Sequence, residues 1–362
     1  MEQQADLQRR IDNVLLRMKH KGLTQLLVAD PNSVWYLTGV DVAPGERLFA
    51  LLLRADGEHT LFVNRLFSVP EDAPATVWFS DTDDAIALLA AACDLDKPLG
   101  IDKIWPARFL LPLQQHCPHM QTVLASDCVD DCRAVKDARE LKLMREASAI
   151  NDRVMEKAAE FVREGMTERE VAAFIDNEYQ KAGCSGPSFP TIVSFGAHAA
   201  DPHHEPDNTV LRAGDCVLLD IGCVWQRYCS DMTRTYFCKE AAGELVEIHA
   251  LVRAANEAAE AAVRPGVPLR DIDAAARNLI AAAGYGDNFF HRLGHFIGQE
   301  DQEQGDVSAA SDIVAQPGMV FSIEPGIYLP GIGGVRIEDL VIVTEEGCEV
   351  LNRVDKGIRT VG

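Results

Sequence analysis

The 362-residue chain is longer than one average domain, and its hydrophobic content of 47% is typical of a globular protein. Its 34 basic and 56 acidic residues give a net charge of −22, which argues against nucleic acid or an anionic membrane surface as a partner. No stretch reaches the roughly 18 apolar residues of a membrane-spanning helix. Ten cysteines without an export signal favour free thiols and a cytoplasmic location.

The first third of the chain alternates predicted helices and strands. An amphipathic first helix is predicted from the apolar face formed by Leu7, Ile11, Val14, Leu15 and Met18. Strands are predicted at residues 26–30, 49–63 (with an Asp-Gly turn at 56 and 57) and 99–102, and helices at 83–93 and 108–116. This alternation predicts a small α/β domain at residues 1–127, with a polar, unperiodic linker around residues 126–136.

A second domain is predicted at residues 134–362, and it contains an internal repeat. It opens with a long amphipathic helix, in which apolar residues recur every three or four positions from Leu141 to Phe161. Eight residues then recur at an offset of 101: Val162, Arg163, Gly165, Arg169, Ala173, Asn177, Ala182 and Gly183 match Val263, Arg264, Gly266, Arg270, Ala274, Asn278, Ala283 and Gly284. The repeat predicts two helix pairs related by a pseudo-twofold axis.

Two carboxylates lie inside apolar strand sequences in LLDIGCVWQRYCSDMTRTYF, residues 218–237. Asp220 interrupts the first apolar arm of this stretch, and Asp231 precedes the second. A buried carboxylate without a partner is so costly that it takes up a proton, pairs with a cation or binds a metal ion. The stretch therefore predicts a hairpin that carries both carboxylates to an interior site.

The second copy of the repeat is also followed by two acidic strands. Glu324 lies in MVFSIEPGIY and Glu338 in GGVRIEDLVIV, at offsets of 104 from Asp220 and 107 from Asp231. A twofold relation would make the four carboxylates converge, and their repulsion would then require bound cations. With His295 in FFHRLGHFIG as a nitrogen ligand, the set suits two bridged ions of Mn²⁺, Co²⁺, Zn²⁺ or Fe²⁺.

These motifs resemble those of the pita-bread metallopeptidases, and specifically the two-domain branch of prolidases and aminopeptidases P. The resemblance rests on DPHHEP, LLDIGCVWQRYCSDMTRTY, HRLGHFIG and PGMVFSIEPGIYLPGIGGVRIEDLVIVTEEG, and with the repeat it covers most of residues 135–362. In the first domain NSVWYLTGV adds a weaker match. The resemblance implies a creatinase-like N-terminal α/β domain, a C-terminal pseudo-twofold pita-bread domain, two divalent metal ions with Mn²⁺ as first candidate, and a homodimer.

The resemblance also implies a role for each of the five ligand residues. Asp220 would bind one ion, and Asp231 and Glu338 would bridge both. His295 and Glu324 would hold the other ion. Glu324 would also act as the general base that takes a proton from the attacking water.

Three further residues match positions that assist the chemistry in this family. His203, seventeen residues before Asp220, would lie near the tetrahedral intermediate or the leaving group, and Tyr328 and Arg336 would orient the site. Each has a plainer alternative. His203 would then be a surface loop histidine, Tyr328 a buried strand tyrosine, and Arg336 a salt-bridge partner of a neighbouring carboxylate. His291 is assigned no role beyond that of a loop histidine.

Two positions depart from the family pattern. Gln302 stands seven residues after His295, where the family commonly has a second histidine. Glutamine can donate a hydrogen bond to a substrate carbonyl or oxyanion, but it cannot shuttle a proton. Phe296 stands where the family usually has a small residue, and we expect it to narrow the pocket.

The leading functional hypothesis is a dinuclear metal hydrolase that cleaves the amide bond before proline in dipeptides or short peptides. This bond is a tertiary amide without the N–H that general peptidases use, so it calls for a dedicated enzyme. One alternative, favoured by Gln302 and Phe296, is a hydrolase or lyase acting on a small non-peptide substrate on the same scaffold. The other is a non-catalytic binding protein, which retention of all five ligand residues argues against.

Overall fold

The computed structural model describes residues 2–241 and 243–362, and the chain divides into two units, Met1–Arg133 and Ala134–Gly362. All ten cysteines are free thiols. Within the described ranges, no helix combines the length and the apolar character needed to cross a membrane.

The N-terminal unit is a mixed six-stranded sheet with helices, in agreement with the predicted α/β class. Its strands lie in the order β4-β3-β2-β1-β5-β6. The elements are α1 (Glu2–His20), β1 (Gln25–Val28), α2 (Pro31–Thr38), β2 (Ala50–Arg54), β3 (Thr60–Asn64), β4 (Ala75–Phe79), α3 (Ala85–Ala92), β5 (Leu99–Ile101), α4 (Ala107–His116), β6 (Thr122–Leu124) and α5 (Asp127–Ala134). The predicted apolar face of α1 is confirmed, since Ile11, Val14 and Met18 are buried.

The prediction of a linker around residues 126–136 is wrong, because α5 occupies most of that stretch. Cys128, Val129 and Cys132 are buried in the core of the N-terminal unit. A spacing of one and four residues places these side chains on one face of a helix, and a free cysteine packs as a small hydrophobic residue. The charged residues between them made the stretch look uniformly polar in the sequence.

The C-terminal unit carries two sheets and four long helices. One sheet has the order β19-β11-β8-β7 and the other β13-β12-β14-β17-β18, while β9–β10 and β15–β16 form separate two-stranded ribbons. The elements are α6 (Ala138–Phe161), α7 (Glu168–Lys181), β7 (Ile192–Phe195), β8 (Cys216–Ile221), β9 (Val224–Trp225), β10 (Tyr228–Cys229), β11 (Met232–Cys238), α8 (Glu244–Ala262), α9 (Leu269–Ala282), β12 (Gly294–Phe296), β13 (Glu303–Val307), β14 (Val320–Ile323), β15 (Gly326–Leu329), β16 (Gly333–Arg336), β17 (Asp339–Val343), β18 (Cys348–Val350) and β19 (Thr360–Val361).

The helices of this unit repeat at the offset read from the sequence. Helices α6 and α8 end 101 residues apart, and α7 and α9 both begin and end 101 residues apart. The turns between the paired helices contain Gly165 (φ 90°) and Gly266 (φ 85°), in a left-handed conformation that glycine adopts at little cost. In each copy a helix asparagine also binds the strand below: Asn151 Nδ2 donates to the Ile221 carbonyl (2.8 Å) and Asn256 Nδ2 to the Ile323 carbonyl (3.0 Å).

The first acidic stretch pairs as predicted, with an added ribbon. Strands β8 and β11 are antiparallel, with Asp220 opposite Thr233, and Asp231 lies just before β11. The ribbon β9–β10 extends between them and turns at Gln226 and Arg227, which both have positive φ (47° and 72°). Both carboxylates therefore lie at the same end of the β8–β11 pair.

The second acidic stretch uses the same arrangement. Strands β14 and β17 are antiparallel, with Ile323 opposite Asp339. Glu324 and Glu338 lie one residue beyond this pair and so meet at the end of the ladder. The backbone N–H of Glu338 donates to the Thr233 carbonyl (3.1 Å), which joins the two sheets beside the four acids.

Behind this junction lies a buried ion network. Arg234 is 2% exposed, and its Nη2 is 2.7 Å from Asp339 Oδ1. Its Nη1 donates to the carbonyls of Thr233 (2.9 Å) and Glu338 (2.7 Å). Lys356 Nζ lies 2.7 Å from the other oxygen of Asp339. The network thus fixes the backbone that carries Glu338.

Candidate active site

The structure brings together the five residues predicted as metal ligands. Oxygen atoms of Asp220, Asp231 and Glu338 lie within 4.8 Å of one another, and the same holds for one ligand atom each of His295, Glu324 and Glu338. Four of the five residues are buried, and the side chain of Glu324 is 16% exposed. Each copy of the repeat contributes two of the carboxylates.

The imidazole of His295 is oriented with one nitrogen toward the carboxylates. Its Nδ1 lies 3.2 Å from the Phe296 carbonyl, which can only accept, so Nδ1 carries the hydrogen. Its Nε2 lies 3.5 Å from both Asp231 Oδ2 and Glu324 Oε1, and in the neutral ring this nitrogen carries the lone pair that a metal ion needs. The close approach of β12 to β14 requires glycine at position 294, because a Cβ atom there would collide with the Ser322 carbonyl.

The carboxylates are poised to bind cations. Burial and the negative charges of Glu338 and Asp220 raise the pKa of Asp231 well above its usual value, and burial together with Glu324 does the same for the pKa of Glu338. The Oδ1 atoms of Asp220 and Asp231 are buried and have no hydrogen-bond partner in the described part of the chain. Unpaired buried oxygens beside one imidazole nitrogen fit a pair of divalent ions.

A hydrogen-bonded chain leads away from Asp220. Arg336 Nη2 donates to Asp220 Oδ2 (2.6 Å), and Arg336 Nη1 donates to the hydroxyl of Tyr328 (2.9 Å). His291 Nδ1 faces the Arg292 carbonyl (2.7 Å) and must donate to it, so Nε2 accepts from the Tyr328 hydroxyl at 2.9 Å. Burial raises the pKa of Tyr328 to about 12 and lowers that of His291, so both groups stay neutral.

A cavity of about 470 Å³ is lined by the five ligand residues together with Arg336 and His291. Its charged part is formed by the five ligand residues with Arg336. An apolar part is formed by Phe189, Pro190, Ile192, Pro202 and Pro206. A pocket that combines a charged site with an apolar wall suits a small substrate with an uncharged ring or side chain.

His203 and Gln302 also line this cavity. His203 is exposed, and its backbone N–H donates to Asp201 Oδ1 (3.0 Å). Gln302 Oε1 accepts a hydrogen bond from Arg292 Nη2 (2.9 Å), so its NH₂ group is left to donate elsewhere.

The segment that carries His203 is held by one buried acid, Glu168. Its carboxylate makes four hydrogen bonds, with the backbone N–H groups of Phe195 and Asp207 and with the rings of His198 and His204. Glu168 follows Thr167, the N-cap of α7, so a long helix anchors this loop. No pattern in the sequence predicted this contact.

Comparison with known proteins agrees with this geometry. The sequence model of metallopeptidase family M24 matches residues 142–345, and that of the creatinase/prolidase N-terminal domain matches residues 10–135. The chain belongs to metallopeptidase family M24. Its fold is therefore a creatinase-type N-terminal domain followed by a pita-bread domain, as the motifs predicted.

Several M24 relatives cover nearly the whole chain. A protein of Staphylococcus haemolyticus, known only as an uncharacterized peptidase, is 38% identical over 96% of this chain and 99% of its own length. The crystal structure of the dipeptidase PepE from Mycobacterium ulcerans has a TM-score of 0.93 and 36% identity, covering 99% of this chain and 98% of that one. The Xaa-Pro dipeptidase from Bacillus anthracis has a TM-score of 0.91 and 29% identity, covering 98% and 100%.

Two residues of this M24 site did not emerge from the sequence analysis. His291, treated there as a loop histidine, lines the cavity and contacts Tyr328. Asp301 also lines the cavity, and one of its oxygens lies within 4.8 Å of ligand atoms of Asp231 and His295. Burial raises the pKa of Asp301 to about 6. The available signal for His291 was its place four residues before His295, and for Asp301 its place beside Gln302.

The expectation that Phe296 narrows the pocket is wrong. Its side chain is fully buried in the core and packs against Phe321, with ring centroids 5.7 Å apart. Neighbouring residues of a strand point to opposite faces, so directing His295 to the site turns Phe296 away from it. Gln302 is left as the departure from the family pattern that faces the cavity.

We expect the affinity of the metal-free protein for Mn²⁺ to keep rising with pH above about 4, the ordinary pKa of a carboxyl group. The raised pKa values of Asp231 and Glu338 mean that protons occupy the site at low pH and must leave when an ion binds. Each displaced proton changes the apparent affinity by about tenfold per pH unit below its pKa. Calorimetric titrations in two buffers of different ionisation enthalpy would count the released protons, and a flat profile with no release would contradict the expectation.

Proposed function

We propose that this M24 protein hydrolyses the amide bond before proline in dipeptides or short peptides, with two divalent metal ions held by Asp220, Asp231, His295, Glu324 and Glu338. The observation that carries the proposal is the convergence of these five side chains in one cavity. Similarity to an Xaa-Pro dipeptidase and a dipeptidase along the whole chain supports the substrate class.

Two divalent ions bound there would polarise the scissile carbonyl and acidify a water molecule. Glu324 is the general base in this proposal. Its Oε1 accepts from Ser322 Oγ (3.2 Å), which fixes the carboxylate, and its partial exposure to the cavity lets it reach the attacking water. His295 Nε2, 3.5 Å away, is kept in its ligand tautomer by the Phe296 carbonyl.

Arg336 is proposed to balance charge and to set the geometry of the other side of the site. It is buried, so its cation acts on Asp220 with little screening by water. Through the Tyr328 hydroxyl it also holds the imidazole of His291 at the cavity wall.

The apolar wall supports a proline ring on the leaving side of the bond. Apolar contacts to a pyrrolidine ring can come from Phe189, Ile192 and the neighbouring prolines, and the ring carbons need no hydrogen-bond partner there. The leaving nitrogen of proline needs a proton, and His203 at the cavity wall is the proposed donor. The free NH₂ of Gln302 is proposed to donate a hydrogen bond to a substrate oxygen.

Three further expectations accompany this proposal. Mn²⁺ is the first candidate for the native ion, because oxygen-rich sites with one imidazole suit hard and intermediate divalent ions. A cytoplasmic location is supported by the ten free thiols. A homodimer remains an expectation from the family resemblance.

The proposal is tested by removing and restoring the metal. We expect exhaustive chelation to abolish cleavage of Xaa-Pro dipeptides and Mn²⁺ or Co²⁺ to restore it, because the water is not nucleophilic enough without the ions. Matched Xaa-Ala dipeptides serve as the control for proline selectivity. Unchanged cleavage after chelation would contradict the metal-dependent reaction.

The same assay separates the remaining alternative. Gln302, which cannot relay a proton, keeps open a reaction on a small non-peptide C–N substrate. The metal-loaded protein could be inactive on every proline peptide and yet active on such a compound. That result would favour the non-peptide reaction over the peptide reaction, and the proposed metal site would be unaffected.

A further inference from the structure

We propose that Asp301 is a sixth protein ligand of the metal centre, on the side of His295. The inference rests on the metal centre of the proposed function, and it adds a residue that the five-ligand resemblance does not contain. It concerns the coordination of one ion and not the identity of the substrate.

The position of Asp301 matches that of a ligand. It lies in the turn between β12 and β13, and one of its carboxylate oxygens is within 4.8 Å of ligand atoms of both Asp231 and His295. Its Oδ1 is buried and makes no hydrogen bond to any other residue that the structure describes. A carboxylate that lies beside an imidazole and a second carboxylate, and has one buried oxygen without a hydrogen bond, is suited to share a cation with them.

The turn that presents Asp301 is fixed from outside the site. A bulge at His295 shifts the β12–β13 register, so that Asp306 and Glu303 pair with neighbouring residues of β12. Glu303 forms a buried ion pair with Lys136 Nζ (2.9 Å) and also accepts the Gln299 N–H (3.0 Å). Because these contacts hold both ends of the turn, Asp301 is directed toward the carboxylates without support from a metal.

Coordination number and charge both favour this assignment. The ion beside His295 would have four protein ligands in the five-residue scheme, whereas oxygen-seeking ions of this type commonly take six ligands in all. Charge balance includes five carboxylates: Asp220, Asp231, Asp301, Glu324 and Glu338. Their five negative charges would be balanced by the positive charges of two divalent ions and of the buried Arg336 guanidinium.

The test measures metal binding directly. Asp301→Asn and Asp301→Ala are compared with wild type by Mn²⁺ calorimetry and chelator competition on the metal-free proteins. We expect at least ~10-fold weaker binding of one ion and unchanged binding of the other, since losing even an outer-shell partner costs 10–100-fold. Glu205→Gln is the matched control, because Glu205 is an exposed carboxylate of the same cavity that belongs to none of the ligand clusters.

Circular dichroism of the metal-free variants separates loss of a ligand from loss of the fold. A Zn²⁺ anomalous-scattering map of the wild type should then place an Asp301 oxygen less than ~2.5 Å from one ion. Unchanged affinities for both ions in the variants would overturn the inference. So would a KM increase for peptides without any change in metal affinity, which would assign Asp301 to the substrate's ammonium group. A wild type that binds no ions would instead defeat the proposed metal centre itself.

Discussion

Asparagine in place of Asp231 is expected to lower kcat/KM for an Xaa-Pro dipeptide by about a thousandfold or more, equivalent to about 4 kcal/mol of transition-state stabilisation. Asp231 belongs to two of the ligand clusters, one with Asp220 and Glu338 and one with His295 and Asp301. Loss of the Asp231 charge should therefore weaken the binding of both ions. The metal content of the purified variant should fall together with the rate.

The matched control for this variant is Asp271→Asn. Asp271 lies in the first turn of α9, and its side chain is 62% exposed. We expect its replacement to change neither the metal content nor the rate by more than about twofold, as is usual for surface substitutions. Full metal occupancy in the Asp231 variant, with a rate within tenfold of wild type, would show that Asp231 does not bridge the ions.

Replacing Arg234 by methionine is expected to lower the free energy of unfolding of the metal-free protein by about 3–5 kcal/mol. The change leaves Asp339, which is fully buried, with Lys356 as its remaining cation, and it strips hydrogen bonds from buried carbonyls. Burial alone would raise the pKa of Asp339, yet Arg234 and Lys356 hold it below its usual value. Urea denaturation followed by circular dichroism would measure the loss.

The comparison variant is Arg253→Met. Arg253 pairs with Glu257 one helical turn away on the exposed face of α8, where such pairs contribute about 0.3–0.5 kcal/mol. A loss below about 1 kcal/mol for Arg234→Met would mean that Lys356 alone neutralises Asp339. Because Arg234 also binds the Glu338 carbonyl, the folded fraction of the variant should bind metal more weakly as well.

The convergence of the four acids could be predicted because it depends on lengths that the chain repeats. Helices α7 and α9, which have the same length, and turns with glycine at the same offset place Asp220 and Glu324 at equivalent strand ends. The apolar residues around each acid then require burial, and burial of several carboxylates requires compensation. The repeat therefore predicts where the acids lie, and their apolar surroundings predict that they bind cations.

Other parts of the site depend on contacts between distant residues, which no local pattern reveals. Asp301 lies in the polar run GQEDQE, which reads as a surface loop, and it is turned inward by a bulge and by an ion pair between residues 136 and 303. His291 gains its place through Tyr328, 37 residues away. The orientation of Phe296 follows from strand alternation, but only once the start of β12 is known.

The two copies of the repeat have a joint consequence for how this protein can be divided. Cutting the chain between them would leave Asp220 and Asp231 on one fragment and Glu324, Glu338 and the imidazole on the other. Neither fragment would hold a complete coordination sphere. Divalent ions bound by ligands from both fragments would therefore promote their reassociation.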